Sequence, residues 1–396
     1  AEGWAVASDV QRTDAYDVTA NNLMTLRDVL ADYTTLSNDQ FVVRLHPDES
    51  PLYGARVVDL LGEAHRELGH RYAMEPAEPT LVEIFKEQKD FAVRTFGEPL
   101  NHGFLGVCFG RVITANSPGA RAGSSFNWES MLWHEYAHVV TLQLTGNKLP
   151  RWLSEGISVY EERVRNHAWG EQLTPAYRAM LLDDELTPVS ELSGAFMTPR
   201  SSEHLMFAYY QSSLVVQYLV ETHGHQSLLG VLEALGNGST IEEAIERHTA
   251  PMADVDRGFA AYARETALAL APGLDWTKPG GSGPDSLHGA DDGAAMDLRT
   301  VVDRRRVELE AHLGEDGEGT NYWEMVSRAQ AHIEAGTHRE AQPILERLLE
   351  LFPESIGAVS AYRMLAATHR ALGETEQEFG VLSEFAARDD EALDAY

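Results

Sequence analysis

The sequence predicts an α+β fold followed by an α-helical module, on three observations. Short β-prone runs alternate with helical patterns over roughly the first 120 residues, the periodicity from Asn127 onward is almost wholly helical, and two stretches near the C-terminal end share one spacing. With 396 residues the chain is long enough for two or three domains.

Taken in order, residues 15 to 36 read as an amphipathic helix (Val18, Leu23, Leu26, Val29, Leu30) within an N-terminal helical extension of residues 1–39. Phe41 to Leu45 is a β-prone run closed by His46 and Pro47, and a helix follows from about Tyr53 to Ala73. Leu81 to Phe85 reads as a second strand, Gln88 to Thr95 as a helix, and Gly106 to Ala115 as a third strand before the turn at Ser117, Pro118 and Gly119. Asn127 is an N-cap candidate for a helix from Trp128 to Leu144, with Gly146 its stop. Helices are predicted at about Leu153 to Val164, Met206 to Thr222, Gln226 to Leu235, Thr240 to Arg247 and Asp254 to Leu270; Thr240 and Glu243 have capping-box spacing. Residues 271–297, with KPGGSGP and GADDG, lack periodicity and read as a linker.

In residues 298–396, Ala329, Gly336, Ala341 and Pro353 stand much as Ala366, Gly373 and Ala387 do further on, with two helical patterns around each glycine. The first stretch resembles a tetratricopeptide repeat; the second is a weaker copy with Glu378 where a small residue is expected. The period is nearer 37 than 34 residues, and a plain helical bundle is the alternative.

The formal charge is −31, from 62 acidic and 31 basic residues, so a phosphate backbone would be repelled and nucleic acid is not expected as a partner. Solvated Asp and Glu also account for such an excess without any partner. The one cysteine, Cys108, rules out an intramolecular disulfide framework and any multi-cysteine zinc site; it lies in an apolar stretch and is given no role. No apolar run approaches the roughly 20 residues of a membrane helix. The opening residues AEGWAVASDV hold no basic start and no apolar export segment, and a processed signal ahead of Ala1 is compatible with them.

The strongest signal is MLWHEYAHVV, residues 131–140. On a helix His134 and His138 lie one turn apart on one face, so both imidazoles can reach one ion, and Glu135 can reach a water on it. After a gap of sixteen residues comes Glu155, within PRWLSEGISVYEE. A His, His, Glu set gives zinc three protein ligands and leaves a fourth position open. His223 and His225, which flank Gly224, read as a surface turn, and His65, His70 and His102 have no ligand spacing.

WLSEG after HEYAH resembles the WLNEG segment of the gluzincin zinc metallopeptidases. Over roughly residues 40 to 265 the sequence is similar to the bacterial peptidase-MA-like family, often fused to tetratricopeptide repeats. The resemblance implies a thermolysin-like catalytic domain over residues 40–270, a small mixed sheet plus a helical subdomain, with Zn²⁺ on His134, His138 and Glu155 and with Glu135 as general base. It implies a carboxylate that orients the first histidine, Glu162 or its neighbour Glu161, and a tyrosine that stabilises the oxyanion at the head of FAYYQSSLVVQYLVETHG, where the alignment favours Tyr209 over Tyr210. It further implies a peptide or protein substrate, a protein partner for the repeats, and an envelope or exported location. Aminopeptidases of the clan carry an acidic residue in a GxMEN-type strand; residues 106–123 here hold none, so endopeptidase action is expected over aminopeptidase action. A repeat scaffold with a vestigial site and a zinc hydrolase of a non-peptide bond are the alternatives.

Overall fold

Two helices open the chain, Glu2–Thr13 (α1) and Val18–Ala31 (α2), the second capped by Asp17, whose side chain accepts from the Ala20 amide. The structure is a computed structural model that describes residues 2–279 and 319–392, apart from 77–78, 101–102, 121–125, 184, 358 and 390–391. Two compact units divide the chain, one built mainly on residues 1–267 and the other on residues 268–388.

The first unit holds a five-stranded mixed sheet: Thr34–Ser37 (β1), Phe41–Leu45 (β2), Thr80–Phe85 (β3), Gly106–Cys108 (β4) and Val112–Asn116 (β5), in the order β1-β2-β3-β5-β4. The three central strands are parallel, and both edge strands are antiparallel to their neighbours. The helices Ser50–Arg71 (α3) and Gln88–Phe96 (α4) connect the parallel strands, as parallel neighbours require. One face of the sheet (Phe41, Val43, Val82, Ile84, Ile113) shares a core with α3 and the later helices. Phe85 on the other face packs with α2 and α4 through Leu26, Leu30 and Phe91.

The helix expected over residues 15 to 36 is corrected in two ways. It stops at Ala31, and β-branched Thr34 and Thr35 enter the sheet as β1, paired with β2 around an Asn38 turn whose side chain accepts from the Gln40 and Phe41 amides. The first 39 residues are therefore not a purely helical extension. The strand expected from Gly106 to Ala115 is a hairpin, because Gly110 adopts φ +80° and reverses the chain. That reversal places β4 on the sheet's edge.

Beyond the sheet the unit is helical: Trp128–Thr145 (α5), Arg151–Arg165 (α6), Pro175–Leu182 (α7), Leu192–Met197 (α8), Ser202–His223 (α9), His225–Gly236 (α10), Ile241–His248 (α11) and Met252–Ala269 (α12). The capping box of Thr240 and Glu243 is formed. The sequence reading missed α7 and α8, although Thr174 caps α7 ahead of Pro175 in the usual way.

In the second unit Tyr322–Glu334 (α13), His338–Leu351 (α14), Ala361–Leu372 (α15) and Thr375–Ala386 (α16) form two pairs that turn at Gly336 and Gly373, both at positive φ. Ala329 and Ala341 are fully buried in the first pair, whereas Glu378 in the second accepts from Arg370 Nε at 2.6 Å. The predicted linker needs revision at its start: Leu274 is buried in this unit's core and Trp276 stacks on Tyr322 at 4.6 Å. The rest of it, residues 280–297, and the start of the predicted module, 298–318, lie outside the described residues. Among the described residues no helix is long and apolar enough to cross a membrane.

Candidate metal centre

Helix α5 begins where Asn127 Oδ1 accepts from the amides of Glu129 and Ser130, and ends at Gly146, φ +57°. It is apolar nearly all round and runs through the core, so its few polar side chains need partners. His134 and His138 lie one above the other with ring centroids 4.8 Å apart. Helix α6 starts after Pro150, and Glu155 one turn in faces the two rings. His134 Nε2 is 3.1 Å from His138 Nε2, and Glu155 Oε2 is 3.2 and 3.3 Å from these two nitrogens.

The outer nitrogens fix the rings. His134 Nδ1 donates to Glu162 Oε1 at 2.6 Å, and Ser130 Oγ donates to the other Glu162 oxygen. His138 Nδ1 meets Ser154 Oγ at 2.9 Å and Ser158 Oγ at 3.2 Å. With its Nδ1 proton committed to a carboxylate, a neutral His134 turns a bare lone pair inward at Nε2. In that tautomer His134, His138 and Glu155 can each offer one ligand atom to a single ion.

The residues fit a zinc ion on both chemistry and size. Two imidazoles and a carboxylate are donors zinc accepts, and donors about 2.0–2.1 Å from a tetrahedral ion lie about 3.3 Å apart. The observed 3.1 to 3.3 Å separations match that spacing. Electrostatics points the same way: burial lowers the proton affinity of His134, but Glu162, Glu155 and Glu135 outweigh it and hold the imidazole well above its ordinary value. Burial would raise Glu155, and the two histidines beside it instead bring it far below the usual carboxylate range. The pocket therefore favours positive charge.

Glu135, beside His134, is buried, and among the described residues its Oε2 has no hydrogen-bond partner. Burial raises its pKa above the ordinary value. Gly106 of β4 lies against it: a Cβ there would come within 2.9 Å of Glu135 Oε1. Tyr209, on α9, lines the same pocket, and Tyr210 does not. Tyr210 is instead fully buried and stacked on Tyr177 at 5.3 Å. Burial, then Glu155, pushes the Tyr209 hydroxyl up to about 12, so it remains a protonated donor at neutral pH.

Of the adjacent acids, Glu162 reaches His134, whereas Glu161 turns to Arg71 and to Tyr72 Oη at 2.8 Å. Cys108 lines the pocket with its thiol pushed up by burial and by Glu135. His225 Nε2 meets the Arg71 carbonyl at 2.8 Å, and among the described residues only His134, His138 and Glu155 group as possible metal ligands. Sequence reasoning missed Arg151, Ser130, Ser154 and Ser158. The signal was present: Ser130 stands four before His134, Arg151 four before Glu155, and Ser154 and Ser158 four apart on one face of the same helix. Gly156 also has a structural reason, since a Cβ would lie 2.6 Å from the Ser212 carbonyl oxygen; the glycine lets α6 approach α9.

A small mixed sheet, a helical body and a His, His, Glu group beside an acid whose Oε2 has no partner among the described residues are compatible with a metallopeptidase-like function. In agreement, a family model described as Peptidase MA superfamily matches residues 117–256, the stretch that carries α5, α6 and α9. None of the curated proteins matches the chain.

Proposed function

We propose that the protein is a zinc-dependent peptidase that cleaves peptide bonds within extended segments, with His134, His138 and Glu155 as the metal ligands. The observation that carries this reading is the convergence of three possible ligand atoms within 3.3 Å of one another beside Glu135, whose Oε2 has no partner among the described residues. When bound, the ion supplies Lewis acidity that polarises the scissile carbonyl and makes water nucleophilic near neutral pH. Glu135 Oε2 takes the proton from the attacking water and returns it to the leaving nitrogen, a task suited to a carboxylate whose proton affinity burial has raised. Tyr209 Oη donates to the carbonyl oxygen as it gains charge. Glu162 holds His134 in its ligating tautomer, and Ser154 and Ser158 hold the ring of His138.

Edge strand β4 lines the pocket, and its outer backbone suits pairing with an extended chain. Residues 40–270 are then the catalytic domain, which contains the whole family match, and the C-terminal helix pairs are tetratricopeptide-like units that dock a protein partner. The test is metal analysis of the purified protein beside its Glu155→Ala variant. About one zinc per chain is expected in the parent and little in the variant; stoichiometric zinc at undiminished affinity in Glu155→Ala would refute the ligand set.

A further inference from the structure

We propose that Arg151 is a positioning residue that locks the Glu155 carboxylate and the Tyr209 hydroxyl into one arrangement; the inference rests on the peptidase reading above. Arg151 opens α6, one turn before Glu155. Its Nε donates to Glu155 Oε1 at 3.4 Å, and its Nη2 donates to Tyr209 Oη at 3.4 Å. The other oxygen of Glu155 is the one that faces the two histidines. One guanidinium on α6 thus touches the outer oxygen of a ligand carboxylate and the hydroxyl of a residue on α9.

Each contact is long and weak by itself, so the geometry matters only if the guanidinium plane is fixed. Phe196 of α8 fixes it: the guanidinium carbon lies 5.4 Å from that ring's centroid, and the same ring meets Tyr209 edge to face at 5.1 Å. A planar fork held in this way loses little further freedom in making two hydrogen bonds, which a lysine could not reproduce.

Two consequences follow for the site. A carboxylate gripped at Oε1 has less freedom to swing Oε2 away from the ion. A phenol oxygen that accepts from Arg151 keeps its own O–H for another acceptor, so Tyr209 is presented to the pocket as a donor. The Arg151 side chain is 48% exposed, and its replacement opens no core cavity.

The experiment uses the full chain with Arg151→Met, which keeps the apolar stem, and Arg151→Lys, which keeps the charge, each alone and combined with Tyr209→Phe. Zinc affinity is read by competition with a chelator, and kcat and KM on an internally quenched peptide. Arg151→Met should weaken zinc binding by about 10-fold and lower kcat by about 10- to 100-fold with KM within about twofold, Arg151→Lys restoring part of both. In the Tyr209→Phe background the same change should cost less than about threefold further in kcat, because the two residues act as one unit. Unchanged zinc affinity in both variants, or kcat losses that multiply in the double variant, would overturn the proposal. If the parent cuts no peptide, the peptidase reading falls and the zinc affinities alone decide the role of Arg151.

Discussion

Behind the two histidines stand different groups, a carboxylate for His134 and two serine hydroxyls for His138. The carboxylate makes His134 the more electron-rich donor, while the hydroxyls orient His138 without adding charge. Glu135 needs neither kind of support, since its oxygen is left free for a proton. Glu135→Gln should therefore retain zinc and lose turnover by about 10³-fold or more, the change removing a base and no ligand; loss of the metal instead would place Glu135 among the ligands. Tyr209→Phe should lower kcat by about 10²- to 10³-fold at constant metal content, the usual cost of one oxyanion donor. Tyr210→Phe should leave kcat near the parent value, and a larger loss there than in Tyr209→Phe would reverse their roles. Residue types and spacing made the His, His, Glu group legible in sequence. Choosing between Tyr209 and Tyr210, or between Glu161 and Glu162, was harder for a physical reason: neighbours on a helix point about 100° apart, and the helix's rotation is set by packing that one sequence does not display. Gly156 against Ser212 and Tyr210 against Tyr177 are the contacts that set it here.

Two glycines show how elements are brought to the site. At Gly156 an added Cβ would meet backbone, the Ser212 carbonyl oxygen at 2.6 Å, so the α6 and α9 helices would have to part. Gly156→Ala should destabilise the fold by about 1–3 kcal/mol, as overpacking usually does, and should lower activity as well, because Glu155 and Tyr209 ride on those two helices. At Gly106 a Cβ would meet only side-chain atoms, Met131 Sδ at 2.7 Å and Glu135 Cγ and Oε1 at 2.9 Å. These can move, so Gly106→Ala should change the melting temperature little yet depress kcat by displacing the base. Thermal melts with kinetics on both variants check the contrast, and equal loss of stability in both would contradict it. Helices α5 and α11 were readable from their caps, Asn127 and Thr240. The β4–β5 hairpin was not, since one glycine at positive φ inside an apolar run looks like an interrupted strand until pairing is seen. Nor was β1, whose Leu36 also fits a helical period and whose strand state depends on β2 beside it.

At the scale of the molecule, a net charge of −31 gives substrates no general attraction unless they are cationic, so selectivity has to come from the cleft. The question that the cleft poses is what it does with a substrate's amino terminus. A free amine drawn into a closed site needs a counter-charge, for an unpaired buried ammonium is costly. The acidic side chains that line the pocket are Glu135 and Glu155, one with the proposed proton-transfer role and one facing the two histidines. Neither is spare. The sequence between Glu98 and Glu129, which contains edge strand β4, holds no Asp or Glu at all. What β4 does offer is backbone on an outer edge, which recognises an extended chain wherever its ends lie. Endopeptidase action is the expectation, and it is checked with one internally quenched peptide in N-acetylated and free-amine forms. The two should be cut at the same internal bond with kcat/KM within about threefold, a difference below roughly 1 kcal/mol in transition-state binding. Strict dependence on the free amine, with release of single residues, would show that an acidic group outside this strand grips the terminus and that the enzyme works from the end of its substrate.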